Sequence, residues 1–389
     1  MSGPLRVAMI TNSVPRYRYP VYAKLLDTPG RAFRWFLSDP ERFTCEEARK
    51  ELPVTFVRGV GWTRTTRHDA VNTLEVDVTS LPMGLPMALA RFRPDVIVSS
   101  DYGARAVLAL MFARLHRVPF VLSSEEIEAS ATGRSVIQLA LRRTLARKCD
   151  SALGWGRPAY RYLRSLGTNP GYTTCGVQPV DVTKLREHSL RLDRAKLRAA
   201  LQVRGRVLLL VGRLLHRKGF HRFIEAWSRV PQESRSACTV LLVGEGPERQ
   251  RLEELADRLV PGELRFEGFH EGEALANYFA VADVFVMPSL VDVWGLVINE
   301  ALCFGLPVLA SRYAGAAQDL IADRECGEVI DPNDVQGFTG CLTRWALVPP
   351  EGSPDWRRAI ASEHSFATAA ASVCAAVDAA IARRRPDIG

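Results

Sequence analysis

The stretch Val207-Leu208-Leu209-Leu210-Val211-Gly212-Arg213-Leu214-Leu215-His216-Arg217-Lys218-Gly219 joins an apolar run to a basic loop bounded by glycines. A short apolar run that ends at glycine and passes into amphipathic sequence of helical length predicts a buried parallel strand, a tight loop and a helix. The alternation continues on both sides. Downstream, strands are expected at Thr239–Val243, Leu264–Glu267, Val284–Val286 and Val308–Ala310, with helices over Phe220–Val230, Arg249–Val260, Ala274–Val281 and Leu296–Phe304. Upstream, strands are expected at Arg6–Thr11, Arg34–Leu37, Val54–Val57, Val96–Ser99, Phe120–Ser123 and Ala152–Leu153, with helices between them, notably Ala104–His116 and Ser135–Lys148. Strands alternating with helices read as parallel sheets covered on both faces. The fold class is therefore α/β, with two Rossmann-like doubly wound domains.

A chain of 389 residues is long for one core and suits two. The Pro-containing stretch Gly176-Val177-Gln178-Pro179-Val180-Asp181 marks a boundary. This predicts an N-terminal domain over 1–180, a C-terminal domain over 181–365 and a terminal helical segment, 366–389, able to cross back to the first domain. No apolar run reaches the roughly 20 residues that span a bilayer, and the start lacks a basic region followed by an apolar core. Eight scattered cysteines form no Cys-x-x-Cys pair and no zinc-like spacing with histidine. The expectation is a cytoplasmic chain with reduced thiols and no metal.

The formal net charge of +8 is unevenly distributed, +10 over residues 1–180 and −2 over the rest. A basic first half points to an anionic partner, an acidic membrane surface or a phosphorylated acceptor, or else to a merely solvated basic surface. No nucleic-acid-binding motif supports a third choice. Within this half, Arg142, Arg143, Arg147 and Lys148 crowd one end of the amphipathic helix Ser135–Lys148. They complement the helix dipole there and could also meet acidic lipid headgroups.

Three segments carry chemistry. In the first, Arg213 and Lys218 put positive charge beside Gly212, Gly219 and a helix start, a pattern suited to a diphosphate or to an ordinary basic loop. The second, Leu241-Leu242-Val243-Gly244-Glu245-Gly246-Pro247, satisfies only part of a dinucleotide fingerprint and could be a tight turn. The third, Pro288-Ser289-Leu290-Val291-Asp292-Val293-Trp294-Gly295-Leu296-Val297-Ile298-Asn299-Glu300-Ala301, sets a carboxylate in a loop and another inside an apolar helix. Gly295 leaves the amides of Leu296 and Val297 free to face a phosphate. Glu300 needs a partner among its apolar neighbours, and sugar or ribose hydroxyls are suitable.

These segments, with Ala282-Asp283-Val284, Gly305-Leu306-Pro307-Val308 and Gly327-Glu328-Val329-Ile330-Asp331-Pro332, resemble family 4 of the retaining glycosyltransferases over roughly residues 205–335. The resemblance implies a GT-B fold, two domains facing a central cleft, and a nucleotide-sugar donor such as a UDP- or GDP-sugar held mainly by the C-terminal half, with no other cofactor. It implies a donor-binding set of Gly212, Arg213, Lys218, Gly244, Glu245, Phe269, Gly295, Leu296, Val297 and Glu300. Asp292 takes a position that is usually Glu in the family and would touch the transferred sugar. The first-half loop Thr11-Asn12-Ser13-Val14-Pro15-Arg16-Tyr17-Arg18-Tyr19-Pro20 replaces the family's glycine-rich form. Glu125 aligns with a histidine that relatives place near the reacting carbon, so the catalytic residues implied are Glu125, Arg213, Lys218 and Asp292.

The activity implied is transfer to an acceptor hydroxyl with retention, the acceptor being a phosphorylated, lipid-linked or cell-surface glycan precursor. A nucleotide-sugar epimerase of the same fold and a non-catalytic nucleotide-sugar-binding protein are the alternatives. Peripheral contact with the inner face of the membrane through the basic first domain is the partner reading.

Overall fold

A computed structural model of the chain describes residues 3–38, 45–68, 73–100, 102–321, 325–348 and 352–384. Its strands are β1 Leu5–Thr11, β2 Arg31–Leu37, β3 Val54–Phe56, β4 Val60–His68, β5 Thr73–Leu81, β6 Val96–Ser100, β7 Phe120–Ser124, β8 Ser151–Trp155, β9 Thr173–Gly176, β10 Arg206–Val211, β11 Cys238–Val243, β12 Leu264–Gly268, β13 Val284–Met287, β14 Val308–Ser311 and β15 Gly327–Ile330. They form a parallel seven-stranded sheet in the order β3-β2-β1-β6-β7-β8-β9, a parallel six-stranded sheet in the order β12-β11-β10-β13-β14-β15, and a two-stranded sheet of β4 and β5. Two compact units result, one from residues 1–68, 74–178 and 366–389, the other dominated by 179–365.

The unbroken apolar runs have a simple cause. Successive strand residues face opposite sides, and both sides of each sheet are covered. Val207 and Leu209 pack in one cluster with the helices Gly272–Val281 and Leu296–Cys303, whereas Leu208 and Leu210 pack in another with Phe220–Trp227 and Val335–Leu347. In the first unit Val7 and Met9 meet the helices Tyr19–Leu26 and Phe366–Arg384, while Ala8 and Ile10 meet Leu85–Phe92 and Ala104–Leu115. Each fully buried Leu or Val contributes about 2 kcal/mol through area removed from water.

The C-terminal helix Phe366–Arg384 belongs to the first unit. Ala369, Ala370, Val373, Ala376, Val377 and Ala380 are buried there. Arg31 forks onto Asp378 at 2.7 and 2.8 Å, and Arg384 pairs with Asp150 at 2.8 Å. One expectation needs correcting. The helical stretch 354–384 is, by length and composition, apolar enough to cross a bilayer. Alanine makes it so, because a helix pressed this closely on a sheet must be narrow, and its small side chains are used in the core. The paired strands β4 and β5 and the edge strands β9 and β15 were also not expected as strands.

Candidate active site

In the second unit the sheet order reverses between β10 and β13. Such a reversal opens a crevice beyond the carboxyl ends of the two strands, where ligands of open parallel sheets bind. The loops at that point are Gly212–Gly219 and Pro288–Gly295. Gly219 adopts φ 70°, and a Cβ there would overlap the carbonyl oxygen of Pro288. The amides of Leu290 and Val291 donate to the Arg217 carbonyl at 2.8 and 3.3 Å. The two loops are thereby fixed to each other, and they set Lys218 against Asp292 with Nζ to Oδ2 at 2.5 Å.

Both members of that pair are largely buried. The Asp292 backbone is held as well: its amide donates to the Tyr313 carbonyl at 3.0 Å and its carbonyl accepts from the Gly315 amide at 3.1 Å. An ammonium carries three donors and Asp292 takes one, which leaves Lys218 able to bind an anion at the same time. Arg213, by contrast, is exposed and has no ion-pair partner among the described residues.

Gly295 starts the helix Leu296–Cys303 at φ 94°, and a Cβ on it would lie 2.5 Å from Met287 Cε. No side chain caps this helix, and the amides of Leu296 and Val297 precede its first intrahelical bonds. Glu300 lies in the second turn. Its Oε2 is closed off from solvent and makes no hydrogen bond among the described residues. Burial pushes its carboxyl up to about 7. A dry, unpartnered carboxylate is costly, so a ligand hydroxyl donating to it would relieve the strain electrostatically.

The second glycine-rich turn is spent differently. A Cβ on Gly244 would overlap the Gly212 carbonyl, and one on Gly246 would overlap that of Leu214. The Leu214 amide donates to the Glu245 carbonyl at 2.8 Å, and the Glu248 amide donates to the Leu214 carbonyl at 3.1 Å. The amides of Gly212 and Gly244 are taken by Val243 and Gly268, at 3.0 and 2.7 Å. These glycines let two loops cross at backbone distance. Glu245 is exposed and ion-paired with Arg249. Phe269, just past β12, is 66% exposed.

Glu125 stands in the first unit, after β7, ion-paired with Arg18. Arg18 is buried, with its guanidinium 4.4 Å from the centre of the Trp155 ring. Burial works against that charge, and the Glu125 carboxylate together with Tyr22 and Tyr17 outweighs it, holding the guanidinium above its usual value. Trp155 is itself fixed by donating Nε1–H to Ser123 Oγ at 2.8 Å. The neighbouring Glu126 is bound by Arg142 at 2.9 Å and Arg134 at 2.8 Å. Sequence reasoning missed the Arg18–Glu125 pair, since the two lie far apart in the chain and no spacing rule joins them. It also missed Gly219 against Pro288, for which the only signal was the glycine itself.

Comparison with known proteins gives the following. Residues 193–351 match the family model described as Glycosyl transferases group 1. The chain is similar to the lipopolysaccharide core biosynthesis glycosyltransferase LpsE of Rhizobium meliloti (strain 1021), 38% identical over 152 residues, or 39% of this chain and 42% of that one. It is similar to the sulfoquinovosyl transferase SQD2 of Arabidopsis thaliana, 27% identical over 274 residues, or 66% and 50% of the two chains. The chain thus spans about half the length of these curated relatives. In fold it is similar to the crystal structure of Anabaena HepE in complex with UDP, with a TM-score of 0.74, 18% identity and coverage of 95% of this chain and 98% of that one.

Proposed function

We propose that this chain, whose second unit belongs to the group 1 glycosyltransferases and whose fold is of the GT-B type, transfers a sugar from a nucleotide-sugar to an acceptor hydroxyl with retention at the anomeric carbon. The observation that carries the reading is Glu300, a buried carboxyl with an unpartnered oxygen on a helix whose free amides open the switch point of the sheet. A nucleotide diphosphate has what that point lacks: hydroxyls for Glu300, and anionic oxygens for the amides of Leu296 and Val297.

In this reading Glu300 accepts from the ribose hydroxyls, while Arg213, Lys218 and the helix amides neutralise the diphosphate. The bond from the anomeric carbon to the diphosphate breaks with its electron pair going to phosphate oxygen. The acceptor oxygen bonds to that carbon on the same face, and its proton passes to the departing phosphate. Asp292, kept in place by Lys218, accepts from hydroxyls of the sugar. Glu125, fixed by Arg18, offers negative charge to the oxocarbenium-like transition state. Positioning and fixed charge supply the acceleration, and no step is assigned to a metal ion.

The donor is a UDP- or GDP-sugar in this reading, the UDP complex of HepE favouring uridine. The acceptor is a phosphorylated, lipid-linked or cell-surface glycan precursor made in the cytoplasm. The basic charge of residues 1–180 and the similarity to LpsE, a lipopolysaccharide core biosynthesis glycosyltransferase, support that choice.

The test is a thermal-shift screen of UDP-, GDP-, ADP- and dTDP-sugars on wild type and Glu300→Ala. One nucleotide-sugar should raise the melting temperature, by mass action, and lose that effect in the variant. Failure of all four to stabilise well-folded protein overturns the reading. Retention is then read from the anomeric proton coupling of the product.

A further inference from the structure

We infer that Trp294 and Asn299 are positioning residues, whose side-chain bond fixes the start of the helix Leu296–Cys303 without occupying the amides that a diphosphate would use. The inference rests on the donor reading given above. The Trp294 indole donates Nε1–H to Asn299 Oδ1 at 2.8 Å. Asn299 is fully buried and Trp294 nearly so. The amide side chain shares its helix with Ile298, Ala301 and Leu302, all buried and apolar. A primary amide in such a place is costly unless it is hydrogen-bonded, so the Trp294 N–H is what allows it there.

A helix start is ordinarily held by a cap. The side chain just before the first helical residue accepts from an amide two or three positions on, as Ser135 does from Gln138 and Asp334 from Gly337. A capping side chain in place of Gly295 would take the amide of Val297 or Ile298. The Ile298 amide already donates to the Gly295 carbonyl at 2.9 Å, so a cap would take Val297, one of the two amides left for a ligand. The Trp294–Asn299 bond ties the residue before the glycine to the fourth residue of the helix through side chains alone. It uses neither amide.

Trp294 suits this role because its surroundings hold it from several sides. Its carbonyl accepts from the Ala316 amide at 2.9 Å, and the His364 ring lies 5.7 Å from its own. Gly315 passes so close that a Cβ there would overlap the Val293 carbonyl oxygen. The bond therefore sets the helix start against the same fixed segment that carries Asp292.

The test compares Trp294→Phe, Asn299→Leu and the double variant with wild type, by urea denaturation and by calorimetric titration of UDP and of GDP. Each single variant strands one buried polar group, so each should be less stable than wild type and bind nucleotide about tenfold more weakly. The double variant replaces both partners by apolar groups, and its stability should return close to that of wild type. Its nucleotide affinity should stay about tenfold low, because a restored core does not restore the position of the helix start. Hydrogen exchange of the Ile298 amide, which Gly295 holds, should be faster than in wild type while the rest of the helix keeps its protection. If the single variants fail to fold, the double variant decides alone. Affinity that recovers together with stability overturns the inference, as does loss of protection along the whole helix, since either marks the bond as general packing. Wild type that binds neither UDP nor GDP overturns the donor reading and this inference with it, whereas binding that is equal in wild type and double variant overturns this inference only.

Discussion

Glu300 makes the stability of the ligand-free protein depend on pH through one side chain. Its folded value near 7 lies above the ordinary 4.5 because burial disfavours its charge. Between these values the folded state keeps a proton that the unfolded chain has released, so stability is full below about 4.5 and falls as pH rises through 7. Glu300→Gln should therefore be the more stable protein on the alkaline side, by up to about 3 kcal/mol, and the gap should close on acidification. Urea denaturation across that range measures it. A second pair of substitutions separates ligand contact from fold. Arg213→Ala should leave stability within about 0.5 kcal/mol yet lower kcat/KM roughly 100-fold, being exposed and unpaired. Lys218→Ala should lower both, since it strands the mostly buried Asp292. Across Arg18–Glu125 the effect should be asymmetric. Losing Glu125 leaves a buried, unpaired guanidinium and costs about 3 kcal/mol, whereas Arg18→Ala leaves a half-exposed carboxylate and costs less. Denaturation of the two single variants checks that order.

The helix Leu296–Cys303 begins where it does because Gly295 can hold φ 94° with Met287 against it. Gly295→Ala should destabilise by roughly 1–3 kcal/mol and shift the amides of Leu296 and Val297, so thermal melting and nucleotide affinity should fall together. Much at this scale was legible in the sequence. The strand-loop-helix reading of Val207–Gly219 holds because apolar runs that end at glycine have few other uses in a parallel sheet. The helices Arg249–Leu259 and Leu296–Cys303 end within a residue of where periodicity put them. What was not legible depends on pairing at a distance. The edge strands β9 and β15 are short, polar or glycine-led, and become strands only because β8 and β14 offer them a ladder. The glycines of Gly244-Glu245-Gly246 read equally as a ligand cradle or a turn. The close passage of Gly212 and Leu214 needed three dimensions to be seen. The same holds for Arg142, whose basic charge looked available for solvent or lipid and is bound to Glu126.

At the scale of the molecule, two sheets with the same reversal of strand order arise from two stretches of alternating pattern, but the chain does not complete them in sequence. The first unit takes its last helix from residues 366–384, after the whole of 179–365 has intervened. Deleting 366–389 should therefore uncover Val98, Val121, Leu153 and Trp155 and make the first unit protease-sensitive, while the second keeps a cooperative melt. Limited proteolysis with mass spectrometry distinguishes the two. There is a consequence for biosynthesis. A nascent chain emerges from its amino end, and domains ordinarily fold in that order. Here the ribosome must pass Arg384 before the first-made half can close its core, so the later-made half reaches its native state first. Until then the apolar face of the seven-stranded sheet waits for its cover, and that interval is when the chain has most need of a chaperone.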